Sequence, residues 1–402
     1  MRVLCSALPM EGHVRPLLPV AHALAGAGHD VRVATGAGFH ERVRQAGLVP
    51  VLAGSAFEPA FALSERDPRF AEFSLTQRAA ATFSLIIAPA KLVDLERIVA
   101  EWRPDLIVHE CTDLAAPIVA AAASVPVVTQ GWGLVPVPAL TVPDPADLVS
   151  LWHARGLEAD PYAGIFGSIH LHPMPTSLQP DARVPVGRLE RIRLEMPPVV
   201  GASLPAWAGV LEPGRRPLIY VSLGTLAPFS RPEFLRTILK GLTRLDVEVV
   251  ATVGAHNDPA SLEPQPPNVH VERWLPLPIL LPCCNLVVCH AGSGTLLATI
   301  DAGLPLVLLP RGADQFENAA ACERAGVARV VAPESLTSAA VTDAVEQVLA
   351  ADSCRYAAAR LRAELEAMPA PSAVVPLLEQ LAHGRSSASG PRAGKAPGAR
   401  ET

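Results

Sequence analysis

A strand, a glycine turn, a helix and a second strand occur in that order twice in this chain, and no other feature limits its fold as much. The first copy begins with an apolar strand, Val3 to Leu8, and passes through a Gly-containing loop into a helix near Pro16 to Gly26. After Gly28 it returns as a strand, Asp30 to Thr35. The second copy has a strand over Pro217 to Ser222, a tight turn at Leu223-Gly224-Thr225, a helix over Pro232 to Leu242 and a strand over Val247 to Val253. Apolar strands joined through helices lie parallel in one sheet covered on its faces by those helices. LAGAGHDVRVATG (24–36) and LTRLDVEVVATVG (242–254) share this pattern, with the two openings roughly 215 residues apart. The chain is therefore expected to form two Rossmann-like α/β domains.

Its 402 residues also exceed what one hydrophobic core organises. Half are hydrophobic and only 18% charged, which excludes a disordered chain. Further strands are expected at Pro104 to His109, Val125 to Thr129, Asn285 to His290, Leu304 to Leu309 and Val327 to Val331. The Pro- and Gly-rich stretch from Met196 to Pro217 is the candidate linker. Residues 384–402, GRSSASGPRAGKAPGARET, lack periodicity and are expected to be a disordered tail.

Lys plus Arg total 33 against 39 Asp plus Glu, a net charge of −6 that gives no support to a nucleic-acid or polybasic membrane binder. Leu114 to Pro143 carries no charge, but Pro117, Pro126, Pro136, Pro138 and Pro143 interrupt it. A spanning helix needs about 20 continuous apolar residues, so no integral membrane span is expected. The N-terminus reads as a first strand rather than a signal peptide. Seven cysteines do not make a disulfide framework in a chain this long. Cys283, Cys284 and Cys289 lack the spacing of a zinc knuckle and are expected to be buried thiols in a cytoplasmic protein.

Three places could carry chemistry. In His290-Ala-Gly-Ser-Gly-Thr295 a strand ends, a small-residue loop follows and a helix starts. Backbone N–H groups at such a start favour an anion. Ser293 and Thr295 add hydroxyls, and His290 offers a hydrogen bond or a positive charge; a Ser- or Thr-capped turn would use the same residues. Asp314-Gln315 follows the next strand, where an acid beside an amide can hydrogen-bond polyol hydroxyls; Asp314 could equally be a helix N-cap. His13 lies in the loop after the first strand, able to take a proton near neutral pH if a carboxylate fixes its tautomer. Glu110 is the first candidate for that carboxylate and Asp113 the second, with a loop-stabilising histidine as the plainer alternative. No Asp-x-Asp occurs, so no metal bridging a diphosphate is expected.

Together these residues resemble family 1 nucleotide-sugar-dependent glycosyltransferases of the GT-B fold, particularly actinobacterial enzymes that glycosylate antibiotics and other secondary metabolites. The resemblance rests on GHVRPLLPVAHALAGAGHDV, LPAWAG, YVSLGT, ERWLPLPILLPCCNLVVCHAGSGT and LPLVLLPRGADQFENAAACERAG. It implies parallel sheets in two domains facing across a cleft, with an acceptor domain at 1–200, a linker at 201–216 and a nucleotide-sugar domain at 217–365. A C-terminal helix in 366–383 would return to the first domain. The resemblance makes His13 the base and Glu110 its partner. It puts Ser222, Gly224 and Thr225 by the donor phosphates, Trp274 against the nucleobase and the Leu275 backbone at its edge. His290, Gly292, Ser293, Gly294 and Thr295 would hold the diphosphate, Asp314 and Gln315 the sugar hydroxyls, with Asn318 supporting that loop. Plant relatives using UDP-sugars carry Glu where Ala298 stands, gripping both ribose hydroxyls, and Gln where Leu277 stands. Their loss here is compatible with a dTDP donor, whose sugar lacks the 2′-hydroxyl.

The expected reaction is inverting, metal-independent transfer of a sugar from dTDP (or UDP) to a hydroxyl of a hydrophobic aglycone, with the nucleotide sugar as co-substrate and no other cofactor. Met10, Phe57, Phe83 and Trp132 are expected to line the acceptor site, within a weakly charged first half that also holds Phe61, Phe70, Phe73, Trp152 and Phe166. A homodimer is compatible with the sequence. A nucleotide-sugar epimerase of the same fold would turn over donor alone, and a non-catalytic binding protein would need no His13.

Overall fold

The computed structural model describes residues 1–135, 145–185, 187–194, 203–205, 207–208, 216–224, 230–254 and 257–384. Thr225, most of the linker at 201–216, and the tail beyond Gly384 therefore lie outside the described residues.

Two all-parallel sheets organise the chain. The first has seven strands: β1 (Arg2–Ser6), β2 (Asp30–Thr35), β3 (Val49–Leu52), β4 (Leu106–Glu110), β5 (Val127–Gln130), β6 (Ile169–His172) and β7 (Arg188–Arg191). Their spatial order is β3-β2-β1-β4-β5-β6-β7. The second has six: β8 (Leu218–Ser222), β9 (Glu248–Thr252), β10 (Val269–Glu272), β11 (Leu286–Cys289), β12 (Leu306–Leu308) and β13 (Ala328–Val330). These run β10-β9-β8-β11-β12-β13. In each sheet the order reverses beside its first strand, so the loops after β1 and β4, and after β8 and β11, border a crevice at the carboxyl ends where open α/β sheets bind ligands.

Alternation along β1 shows how a strand buries apolar residues on both of its faces. Val3 and Cys5 pack with Leu17, Val20, Ala21 and Leu24 of helix α1 (Glu11–Gly26). Leu4 packs on the opposite face with Leu92 and Leu95 of a helix at Ala88–Trp102 and with Ile118 of another at Ala115–Ala122. The second sheet repeats this: Ile219 and Val221 meet Leu235 and Ile238, while Tyr220 meets Leu296 and Ile300. Val375 and Leu378 of the last helix, Val375–His383, join the α1 cluster of the first sheet.

Most predicted elements occur within a few residues of their expected ends. The exception that bears on function is α1, which begins at Glu11 and not Pro16, so His13 sits in the first helical turn rather than in a loop. Proline is favoured at the first helical position, but here Pro16 and Pro19 both lie inside the helix. The buried stripe of Val14, Leu17, Leu18, Val20, Ala21 and Leu24 outweighs their missing N–H bonds, and Glu11 suits the positive end of the helix.

All seven cysteines are free; Cys283 is exposed, contrary to expectation, while Cys284 and Cys289 are buried. Cys283 ends a 3-10 turn, Leu281–Cys283, that continues a one-turn helix and buries Leu280 and Leu281, which leaves it outside. Among the described residues no helix is long and apolar enough to cross a membrane.

A polar row runs through the first sheet in register: Ser6, His109, Thr129 and His170. His170 and His172 are buried with no hydrogen-bond partner on either ring nitrogen. Burial, with His109 nearby, pushes His170 down to about 3; burial, with His170 and Arg191, pushes His172 well below its ordinary value. Protons therefore bind the unfolded chain more readily, so stability is intact above about pH 6.5 and is lost progressively as pH falls toward 3. The melting temperature is expected to drop between pH 6.5 and 4, and His170→Leu should flatten that slope. An unchanged slope in the variant, followed by calorimetry, would reject the assignment.

Candidate functional site

On the first-domain side, β4 delivers Glu110 as its final residue and α1 delivers His13 in its opening turn. His13 Nδ1 lies 3.2 Å from Glu110 Oε1 and 2.9 Å from Thr112 Oγ1. Thr112 donates its hydroxyl to Glu110, with Oγ1 at 2.9 and 2.8 Å from the two carboxylate oxygens, and its N–H donates to Oε2 at 2.7 Å. Trp132 Nε1 donates to the same oxygen at 3.2 Å and Leu8 N–H to Oε1 at 3.4 Å. Burial raises the Glu110 carboxyl, but the His13 charge and hydrogen bond, with those from Thr112, outweigh it and hold the group at about 2. Glu110 is thus an acceptor only, so the His13 Nδ1 that faces it is a donor.

Asp113, the second candidate, is engaged elsewhere. Its Oδ2 takes the Lys91 ammonium at 2.7 Å and the Ser6 hydroxyl at 2.6 Å. Lys91 also donates to Ala7 O at 2.6 Å and is completely buried. Asp113 belongs to a structural ion pair, because a buried lysine on the inner face of the Ala88–Trp102 helix requires a counter-charge there.

Aromatic rings surround the His13 imidazole. Phe83 lies 5.9 Å and Trp132 5.5 Å from it between ring centroids. Phe57 is 5.6 Å from Phe83, and Met10 packs with Phe57, Phe61 and Ile87. Phe83 is held in a π-helical segment, Thr82–Ile87, that interrupts the run into the Ala88–Trp102 helix. Phe70, Trp152 and Phe166 are buried, the latter two in the core between the first sheet and its helices.

On the second-domain side, β11 ends at Cys289 and the Ser293–Asp301 helix starts after Gly292, its N-cap, with no side chain capping it. The Ser/Thr-capped alternative is therefore not what forms, and the first N–H groups are free to meet an anion. Ala291 holds a left-handed φ of 66°, fixed by Asn318 Nδ2 donating to its carbonyl at 2.9 Å. The His290 ring fills the space between Gly224 and Gly292: a Cβ at Gly224 would meet it at 2.6 Å, and one at Gly292 would collide with it. Gly224 also has φ 84°, and its N–H donates to Ser222 Oγ at 3.3 Å. Burial pushes His290 down to about 4, so it is neutral at pH 7 and offers a hydrogen bond rather than the positive charge considered from sequence. A Cβ at Gly294 would face open space.

Ser293 Oγ donates to Asp314 Oδ2 at 2.8 Å, and Asn318 Nδ2 donates to the same atom at 2.7 Å and to Ser293 Oγ at 3.1 Å. Burial raises the Asp314 carboxyl despite these bonds. Asp314 stands at the N-cap position of the Gln315–Arg324 helix without capping it through its side chain. Gln315 Oε1 accepts from Arg311 N–H at 2.8 Å and staples the loop. Trp274 is 59% exposed beside buried Leu275, presenting a ring to solvent or a base. Trp207 stacks on His270 at 4.3 Å and donates to Glu272 at 2.8 Å.

The two sides meet. Trp132 lies beside the His13 ring, and at its neighbour Gly133 a Cβ would collide with Ser293 Oγ, with Asp314 Oδ2 just beyond. Ala313 N–H, in a loop turned by a φ of 52° at that residue, donates across the domains to Thr76 Oγ1 at 2.9 Å. Sequence reasoning missed Thr112, Lys91, Thr76 and Gly133. Only Lys91 left a signal, a lysine within the apolar stripe of Leu92, Leu95 and Trp102. Among the described residues no three His, Cys, Asp or Glu side chains gather as metal ligands.

Residues 22–142 match the family described as erythromycin biosynthesis protein CIII-like, N-terminal domain, and residues 236–381 its C-terminal domain. The chain is 30% identical to the TDP-daunosamine transferase DnrS of Streptomyces peucetius over 95% of this chain and 97% of that one. Among solved structures it resembles the glycosyltransferase SnogD from Streptomyces nogalater, with a TM-score of 0.75, 30% identity and coverage of 95% and 99%. It also resembles the glycosyltransferase VinC in complex with dTDP, with a TM-score of 0.76, 25% identity and coverage of 96% and 100%.

Proposed function

Because this chain belongs to the erythromycin biosynthesis protein CIII-like group of family 1 GT-B glycosyltransferases of actinobacterial secondary metabolism, we propose that it transfers a deoxysugar from dTDP, with inversion and without a metal, to a hydroxyl of a hydrophobic aglycone in the cytoplasm. His13 Nε2 takes the acceptor proton as the oxygen attacks the anomeric carbon. The bond from that carbon to the diphosphate oxygen breaks on the opposite face, and its electron pair leaves with the diphosphate.

The observation that supports this reading most is the adjacency of Trp132 and Gly133, one against the base and the other against Ser293 and Asp314. A single peptide thus spans the distance between proton acceptor and donor-sugar residues, which favours one reacting centre. The leaving diphosphate would meet the uncapped N–H groups of the Ser293–Asp301 helix, the Ser293 and Thr295 hydroxyls and neutral His290. A helix N-terminus contributes about 0.3–1 kcal/mol at an exposed end and up to about 2 in favourable buried geometry. A dTDP donor is favoured by Ala298 at the position where UDP-using relatives grip the ribose, and the related VinC forms a complex with dTDP. Phe57, Phe83, Met10 and Trp132 give the acceptor an apolar wall.

The test is a thermal-shift screen against dTDP, UDP and GDP, followed by mass-spectrometric assays of dTDP-sugars with apolar aglycones, with and without EDTA. The expected results are the largest stabilisation by dTDP, an EDTA-insensitive product and an inverted anomeric configuration by NMR. Preference for GDP, restoration by magnesium after EDTA, or a retained configuration would each overturn the corresponding part.

A further inference from the structure

Thr112 occupies a place that neither the sequence nor the family match assigns. It sits two residues beyond Glu110, is buried, and its single hydroxyl lies between both catalytic candidates. Oγ1 is 2.9 Å from His13 Nδ1 and 2.9 and 2.8 Å from the two Glu110 oxygens. An ionised carboxylate only accepts, so the hydroxyl proton points to Glu110 and the Thr112 oxygen lone pairs face His13. His13 Nδ1–H then has two acceptors, Glu110 Oε1 directly and Thr112 Oγ1, and the second is the shorter contact.

We infer that Thr112 is a positioning residue that relays the carboxylate to the base, making a His13–Thr112–Glu110 chain of hydrogen bonds. The inference rests on the reading of His13 as the base. When His13 Nε2 takes the acceptor proton, the new positive charge faces Glu110 partly through the Thr112 hydroxyl, which keeps its own proton. Polarised hydrogen bonds in series strengthen one another inside a protein, so the relay tightens as the charge develops. Its effect belongs to the transition state more than to substrate binding. The backbone supports the same geometry, because Thr112 N–H donates to Glu110 Oε2 at 2.7 Å and fixes how the side chain enters.

The experiment is steady-state kinetics of Thr112→Val, Thr112→Ala and Thr112→Ser beside His13→Ala, with dTDP binding measured by calorimetry for each. Thr112→Val, nearly isosteric but without the hydroxyl, is expected to lower kcat roughly 10-fold, the effect of one hydrogen bond to a charged group. KM for both substrates and the dTDP affinity should stay near wild type. Thr112→Ser should restore most of the rate, a rescue that a merely structural role would not require. If the valine variant does not fold, the alanine variant carries the same expectation. A folded Thr112→Val or Thr112→Ala with wild-type kcat, or a serine variant as slow as the valine one, overturns the relay while leaving His13 as base. Wild-type turnover in His13→Ala overturns both.

Discussion

Replacing His13 by alanine is expected to lower kcat by about 10²–10⁴-fold, the range that a positioned general base contributes, while dTDP binding stays near wild type. The two effects separate because His13 belongs to the opening turn of α1, whereas Ser293, Asp314 and the uncapped helix start lie in the second domain. Glu110→Gln should cost a comparable share of kcat. An amide in place of the carboxylate can donate to Nδ1 and so shift the imidazole proton to Nε2, the atom that must accept. Turnover of His13→Ala near the wild-type rate at saturating donor would remove His13 from the mechanism. A loss of dTDP affinity in parallel would show instead that the substitution had disturbed the fold.

The second large effect is on stability. Lys91→Met is expected to destabilise the protein by about 3–5 kcal/mol, since removing one partner of a buried ion pair leaves the other charge uncompensated. That is a substantial part of the roughly 5–15 kcal/mol that stabilises a typical domain. Lys91 and Asp113 are both fully buried with 2.7 Å between their charged atoms. Adding Asp113→Asn to Lys91→Met should recover part of the loss, because the unpaired carboxylate is then gone. Urea denaturation is the measurement, and a loss under about 1 kcal/mol for the single variant would show that Asp113 finds other compensation. The pair also ties Ala7, in the loop leading to His13, to the segment after Glu110, so catalysis should weaken with it.

Parallel two-domain architecture was legible in the sequence, since apolar strands joined by helices have few other ways to bury themselves. So were the residue types of the loops after β11 and β12, because glycines, hydroxyls and an acid at strand ends are written locally. Helix starts were less secure: Pro16 resembles an entry point, and only the packing of Val14 and Leu17 shows that the helix has already begun by then. The sequence ranked Glu110 ahead of Asp113 but held no physical reason that excludes Asp113. Glu110 ends β4 and Asp113 follows it, both are acids, and what separates them is Lys91, distant in sequence and brought beneath Asp113 by the fold.

The sequence by itself determined which groups could accept a proton, meet an anion or stack on a base, because these are properties of single residues and short spacings. Tertiary structure alone decided their states and partners. It made His290 neutral by burying it, gave Glu110 its charge through His13 and Thr112, and set Gly133 against Ser293. The physical reason is that ionisation and hydrogen-bond partnership depend on the surrounding dielectric and on distances of a few ångströms between residues far apart in the chain, and neither exists until the domains have packed.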